Sequence, residues 1–255
     1  MTGRRSDGYH LLDTLFHRIS LSDTLTLTRR ASDFSFSSNA DLPEREGNLL
    51  FKAYGELQKK FPSLGGVHAK LVKRIPIGAG LGGGSSNAAF FLLGMIQLYR
   101  LRISKQELMK MGLRIGADVP FFLLQKKQAR ARGIGEQLAS ANCRKKRRFL
   151  LITDPKPLST VSVYKHFCQK GYAFSKKSTA LSNQLVNDLQ APAVDLRPSI
   201  QKTLNMLTAL GAEGVLMSGS GPTVFAVSDF PSQARQLRAS LPQALRKRSI
   251  LCHTF

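Results

Sequence analysis

Pro76-Ile-Gly-Ala-Gly-Leu-Gly-Gly-Gly-Ser-Ser-Asn87 joins a strand-like segment to an apolar, helix-like one. Five of the seven residues 78–84 are glycine, so the backbone can take positive φ and approach a ligand closely. The helix read from Ser86 begins at once, and its unpaired N–H groups and dipole favour an anion at that point. Ser85 and Ser86 add hydroxyls suited to phosphate or to a magnesium ion. A merely flexible turn is the plainer reading, but it has no need of two serines and a helix start behind it. Gly78, Gly80 and Gly83 also satisfy G-x-G-x-x-G. A dinucleotide site would need an acidic residue about 20 positions on, at the end of a second strand. The next acidic residue is Glu107, inside a helix cap. No lysine precedes the serines as in a Walker loop, and H-R-D and D-F-G are absent. What remains is a phosphate-binding loop of another type.

Outward from the loop, Val67–Ile75 alternates and ends at Pro76, which predicts a strand. Residues 48–61 have helical spacing. Ser104 and Glu107 form an S-x-x-E box that opens a helix running to about Arg114. Residues 18–30 place Ile19, Leu21, Leu25 and Leu27 on one face at period two, interrupted by Asp23, and predict a single strand. Further on, 149–153, 214–217, 223–227 and 250–255 read as strands, and 200–210 and 232–240 as helices. This mixture without β-α-β alternation predicts an α+β fold. The basic cluster 144–148 marks a boundary between two lobes, 1–147 and 148–255.

The chain of 255 residues carries a net charge of +22, which suits polyanions. The basic residues are dispersed, and the densest cluster lacks interleaved aromatics, so no specific nucleic acid is expected as partner. The longest apolar run is too short for a bilayer, and no apolar stretch precedes Arg4 and Arg5, which argues against a secretory signal. Three widely spaced cysteines, Cys143, Cys168 and Cys252, fit a reduced, cytoplasmic compartment. The histidines show no metal-ligand spacing.

The loop resembles that of the GHMP kinases, P-x-x-x-G-L-G-x-S-S-x-A-A, through Pro76, Gly80, Leu81, Gly82, Ser85, Ser86, Ala88 and Ala89, with one extra glycine. Four glycine-lined or aromatic segments agree with the branch of that family acting on a cytidine diphosphate-linked methylerythritol: Gly3–His10, the loop itself, Ile115–Phe122 and Met217–Pro222. Asn48-Leu49, Gly133–Glu136 and Asn187–Leu189 are also similar. The resemblance implies a two-lobed fold and transfer of the γ-phosphoryl group of ATP to the 2-hydroxyl of that substrate, in the non-mevalonate route to isoprenoid precursors. It implies ATP and Mg2+ as partners in catalysis. Pro76, Gly78, Gly80, Leu81, Gly82, Gly83, Gly84, Ser85 and Ser86 would hold the triphosphate, with Ser85 or Ser86 near the magnesium. Asn48 and Lys73 would lie near the adenine.

By the same resemblance Asp118 would orient the substrate hydroxyl and accept its proton. Read alone, Gly116-Ala-Asp-Val-Pro120 is an aspartate in a turn before an apolar segment, and a helix cap is its simpler role. Tyr9 and His10 match residues at the cytidine end, and Tyr164 matches a base-stacking aromatic. Alone, each serves packing as readily as recognition. The family opens with a strand carrying P-A-K-x-N-L, and Met1 lies just beyond where that motif would end. The expectation is a natural start some ten or more residues upstream, with the lysine-bearing strand, and a Gly3–His10 turn that lacks its upstream strand here. Three other readings stay open: a GHMP kinase for another small alcohol, a truncated or inactive nucleotide-binding protein of the same fold, and a basic nucleic-acid-binding module.

Overall fold

The computed structural model describes all residues except 44, 46, 142–145 and 175–185. The sequence cluster 144–148 and Cys143 therefore lie partly outside the described residues. Along the chain come β1 (Gly3–Arg4), β2 (His10–His17), β3 (Thr24–Arg30), β4 (Phe34–Ser38), α1 (Leu49–Lys60) and β5 (Gly66–Val72). Next are α2 (Gly83–Tyr99), α3 (Lys105–Ile115), α4 (Val119–Leu123), β6 (Gln128–Gly133), β7 (Gln137–Ser140) and β8 (Arg148–Ile152). The chain continues with α5 (Thr160–Lys170), α6 (Gln190–Leu196), α7 (Ser199–Ala209), β9 (Leu216–Met217), β10 (Val224–Ser228), α8 (Pro231–Ser240), α9 (Gln243–Arg246) and β11 (Ser249–His253). Ladders are antiparallel apart from β4 on β5 among the described residues, and the fold is α+β.

The elements gather into two compact units. One comprises Met1–Leu21, Pro76–Leu81 and Lys127–Phe255, the other Ser22–Ile75 and Gly82–Lys126. Each is discontinuous in sequence, so the linear division at 147/148 does not coincide with them.

In the unit holding residues 22–75, the sheet order is β3-β5-β4. Asn48 starts α1 by accepting a hydrogen bond from Leu50 N–H at 3.0 Å, a cap worth about 1 kcal/mol. Its buried face, Leu50, Ala53, Tyr54 and Leu57, packs on Ala88, Ala89, Phe91, Leu92 and Met95 of α2 and on Val67 and Ala69 of β5. Helix α2 is apolar nearly all round because β3, α1 and α4 all border it. Leu57 is fully buried, so Leu57→Ala costs about 2–5 kcal/mol. Ser104 and Glu107 form the expected capping box of α3.

The other unit holds two four-stranded sheets, β1-β2-β6-β7 and β11-β8-β10-β9. Leu150, Ile152, Val224 and Ala226 bury one face of the second sheet against Val163 and Phe167 of α5 and Ile200, Leu204 and Leu207 of α7. Its opposite face carries Phe149, Leu151 and Cys252, joined by Ile19, Leu21 and Leu81.

One expectation is corrected. The strand read over 18–30 is β3 alone, 24–30. Ile19 bridges Thr254 instead, and Asp23 turns its carboxylate to the backbone of Arg74 and Ile75. The period-two face thus ran together two segments divided by a buried charge. Within the Gly3–His10 segment, Gly3 and Arg4 pair with Leu11 and His10 as the short β1. No described helix is long and apolar enough to cross a membrane.

Candidate active site

The glycine loop begins in the unit of two four-stranded sheets, where it meets a second glycine turn. Ser218 Oγ donates to Gly80 O at 2.8 Å. Gly80 has φ +69, and a Cβ there would stand 2.3 Å from Ser218 O, so this position requires glycine both for its backbone and for the approach. The turn 218–222 is itself held by Asn187, whose Nδ2 donates to Met217 O and Gly219 O. Ser220 Oγ lies 2.8 Å from Thr160 Oγ1 at the start of α5. Gly78 accepts Leu158 N–H through its carbonyl at 3.3 Å, and Leu81 joins the apolar cluster around Phe149. Pro76 opens this segment.

Gly82 to Ser86 form the start of α2 in the other unit. Gly82 is the N-cap residue in a left-handed conformation, and no side chain caps the helix. The first N–H groups of a helix have no intrahelical partner, so this end presents donors to an anion. Ser86 N–H closes the first turn on Gly82 O at 2.9 Å. A Cβ on Gly83 would meet Ile75 at 3.0 Å and Lys73 Nζ at 3.1 Å, whereas one on Gly84 would find only Leu49 at 3.5 Å. The protein itself gives no steric reason for glycine at 84.

Asp118 lies at the N-cap position of α4, yet its side chain makes no cap hydrogen bond. Among the described residues nothing hydrogen-bonds its carboxylate, and burial raises its pKa above the usual carboxylate range. The helix-cap role open in the sequence therefore does not account for it. Ser85 belongs to the same neighbourhood, since a Cβ on Gly116 would lie 3.9 Å from Ser85 Oγ. This unit thus holds an uncapped helix N-terminus, the Ser85 and Ser86 hydroxyls and a half-buried carboxylate.

Lys73 is 7% exposed in its side chain and ion-paired to Asp23, which is 2% exposed. Its ammonium also reaches Asn87 Oδ1 at 3.3 Å. The side chain of Asn48 is engaged at both ends, by Leu50 N–H and by Pro43 O. Both residues expected near the adenine therefore have their polar atoms in structural bonds.

The predicted cytidine residues lie in the unit with Gly80. Tyr9 is at the tip of the β1–β2 hairpin and is 59% exposed. The His10 ring centroid is 4.8 Å from that of Tyr164 and 5.8 Å from Phe167, edge-on. Cys168 Sγ lies 3.3 Å from His10 Nε2. Burial, reinforced by Arg4 and the N-terminal amine, lowers the His10 pKa and so favours the neutral ring. The structure thus brings His10 of β2 against Tyr164 of α5, an element the sequence reading left undefined. It adds Phe167 and Cys168, which follow Tyr164 at helical spacing and were legible only once that helix was recognised. Asp23 was also missed, although a charge inside an apolar period was its signal.

Residues 48–126 match the GHMP kinases N terminal domain and residues 172–247 the GHMP kinases C terminal. A 4-diphosphocytidyl-2-C-methyl-D-erythritol kinase of Pelobacter propionicus is 38% identical over 247 residues, covering 93% of this chain and 88% of that protein. Its counterpart in Syntrophus aciditrophicus is 37% identical over 250 residues, with the same coverage of 93% and 88%. A solved 4-(cytidine 5'-diphospho)-2C-methyl-D-erythritol kinase superposes with TM-score 0.81 at 34% identity, over 100% of this chain and 94% of that one. A homoserine kinase from Cytophaga hutchinsonii, at 17% identity and TM-score 0.70, shares the fold. With the glycine loop, the Asp118 turn and the second glycine turn in place, identity at this level over nearly the full length of these relatives means that the chain belongs to the GHMP kinases and, within them, to the 4-diphosphocytidyl-2-C-methyl-D-erythritol kinase family.

Proposed function

We propose that this chain is a cytoplasmic kinase that transfers the γ-phosphoryl group of ATP to the 2-hydroxyl of 4-diphosphocytidyl-2-C-methyl-D-erythritol, a step of the non-mevalonate route to isoprenoid precursors. The substrate comes from the relatives' names. The observation supporting turnover, rather than nucleotide binding alone, is the Asp118 carboxylate: half-buried, free of hydrogen-bond partners among the described residues, and raised in pKa by desolvation. Phosphoryl transfer needs positioning and charge stabilisation more than covalent chemistry. The N–H groups at the start of α2 receive the phosphates, and the Ser85 and Ser86 hydroxyls add donors there. Ser85 or Ser86 would help hold a magnesium ion accompanying ATP, which would supply charge neutralisation to the phosphates. Asp118 accepts the proton of the substrate hydroxyl as its oxygen bonds to the γ-phosphorus and the β–γ bridge bond breaks. Tyr9, His10 and Tyr164 take the cytosine by stacking and a directed hydrogen bond.

The test is a coupled kinase assay on the purified chain with the cytidyl substrate, mevalonate and homoserine. Turnover is expected with the cytidyl substrate alone. Asp118→Asn should lower kcat by about two or more orders of magnitude, the range for a lost general base, with ATP affinity retained. Because burial raises the Asp118 pKa and the reaction uses its ionised form, activity should fall on acidification at a pH above the ordinary carboxylate value of about 3.9. ATP binding without turnover on any substrate would instead favour an inactive nucleotide-binding protein.

A further inference from the structure

We propose that Asp23 is a positioning residue for ATP: its carboxylate clasps the two flanks of the glycine loop and sets the first turn of α2. The inference rests on the reading of that loop as the triphosphate site. Asp23 immediately precedes β3, and because Thr24 pairs with Val72, it arrives beside the residues that lead out of β5 into the loop. There it accepts hydrogen bonds from Arg74 N–H at 2.7 Å and Ile75 N–H at 2.9 Å. From the far side of the loop, Asn87 Nδ2 donates to the same carboxylate at 2.9 Å. Lys73 Nζ completes the set by bonding both Asp23 and Asn87 Oδ1. Asn39 holds Lys73 in turn, accepting its N–H at 2.7 Å and donating to its carbonyl at 3.3 Å.

Residues 74–75 and 87 are the last before and the first after the segment Pro76–Ser86. A segment so rich in glycine loses much backbone freedom when it is ordered. Joining its ends through one buried acceptor lowers that cost, as closing any loop does. Burial pushes the Asp23 pKa up, but Lys73, the two backbone N–H groups and Asn87 outweigh it and hold the group ionised. Lys73 lies directly beneath the loop, within 3.1 Å of where a Gly83 Cβ would be. A shift of this ammonium is thus felt at the first residue of α2, where the phosphate donors begin. A charged group with this placement acts on nucleotide geometry without touching the nucleotide.

Asp23→Asn keeps the side-chain shape and removes the charge that answers Lys73. It should raise the KM for ATP about tenfold or more, leaving the KM for the cytidyl substrate within about twofold, since only the phosphate loop is displaced. Asn87→Ala, which removes the far anchor and spares the ion pair, should act in the same direction and serves if Asp23→Asn does not fold. Hydrogen exchange of amides 77–87 should quicken in either variant while that of α7 stays unchanged. A lowered melting temperature with an unaltered KM for ATP and unaltered exchange in the loop would overturn the proposal, because Asp23 would then be only a structural ion pair. Faster loop exchange in a chain whose unaltered form phosphorylates nothing would leave the clasp standing and sink the kinase reading.

Discussion

At the residue scale, the same types of group acquire different roles from their surroundings. Asp118 is half-buried and the Asp23 side chain is almost fully covered, yet one lacks hydrogen-bond partners among the described residues and the other accepts from four donors. Burial alone raises a carboxyl pKa, while donors to the charged form lower it. The first is thereby suited to taking a proton and the second to holding shape. His10 packs against the Tyr164 ring and contacts Cys168. His10→Ala and Tyr9→Ala should therefore raise the KM for the cytidyl substrate well beyond any change in the KM for ATP. Steady-state kinetics with each substrate varied in turn will read this. Equal changes in both constants would contradict the assignment of these side chains to the base.

At the element scale, the glycine loop is a connection whose individual glycines answer different constraints. Gly80 is fixed by its backbone conformation and by the turn at Ser218. A side chain at Gly83 would displace Lys73 and Ile75, so the clash expected from enlarging this residue is with the protein beneath the loop. Gly84 is exposed, in a helix, and meets nothing closer than Leu49 at 3.5 Å. Gly84→Ala should thus be neutral or stabilising by up to about 1 kcal/mol, the difference in helix propensity. If the phosphates rest on this turn, the same substitution raises the KM for ATP several-fold. Thermal melting and ATP titration of one variant check both halves. An unchanged ATP affinity would move the phosphates away from Gly84.

At the scale of the whole molecule, acid stability has an identifiable contributor. His17 on β2 lies against Gln128, with Nδ1 and Nε2 of the two side chains 2.7 Å apart, and its ring contacts Phe149 edge-on. Burial, with a smaller contribution from Arg147, lowers its pKa to about 4. The unfolded chain takes up this proton near pH 6.5, while the folded chain resists until about 4. Between those values the unfolded state binds more protons, so stability falls as pH is lowered through this window. Melting temperatures of the protein and of His17→Gln, compared from pH 7 to pH 4, should converge as the pH drops. A constant gap between them would show that His17 stays uncharged in both states or charged in both.

The amino-acid sequence by itself determined the elements whose cause is local. The capping box of α3, the helix over 48–61, the glycine loop and the apolar helix behind it were legible because neighbouring residues create them. The family followed from motifs that are contiguous in the chain. Helix α5 was not legible, because Tyr164, Phe167 and Cys168 acquire a common purpose only when His10 from β2 arrives beside them. Strands β2 and β6 were missed for a related reason: pairs such as Asp13 with Arg130 across the ladder put charge on strands that lack an apolar alternation. The two compact units, each assembled from separated stretches, have no marker in the order of residues. Asp23 looked like a flaw in one strand, and Lys73 looked free to meet a nucleotide. Only the tertiary structure joined them, because a buried charge finds its partner by proximity in space, here across fifty positions of chain.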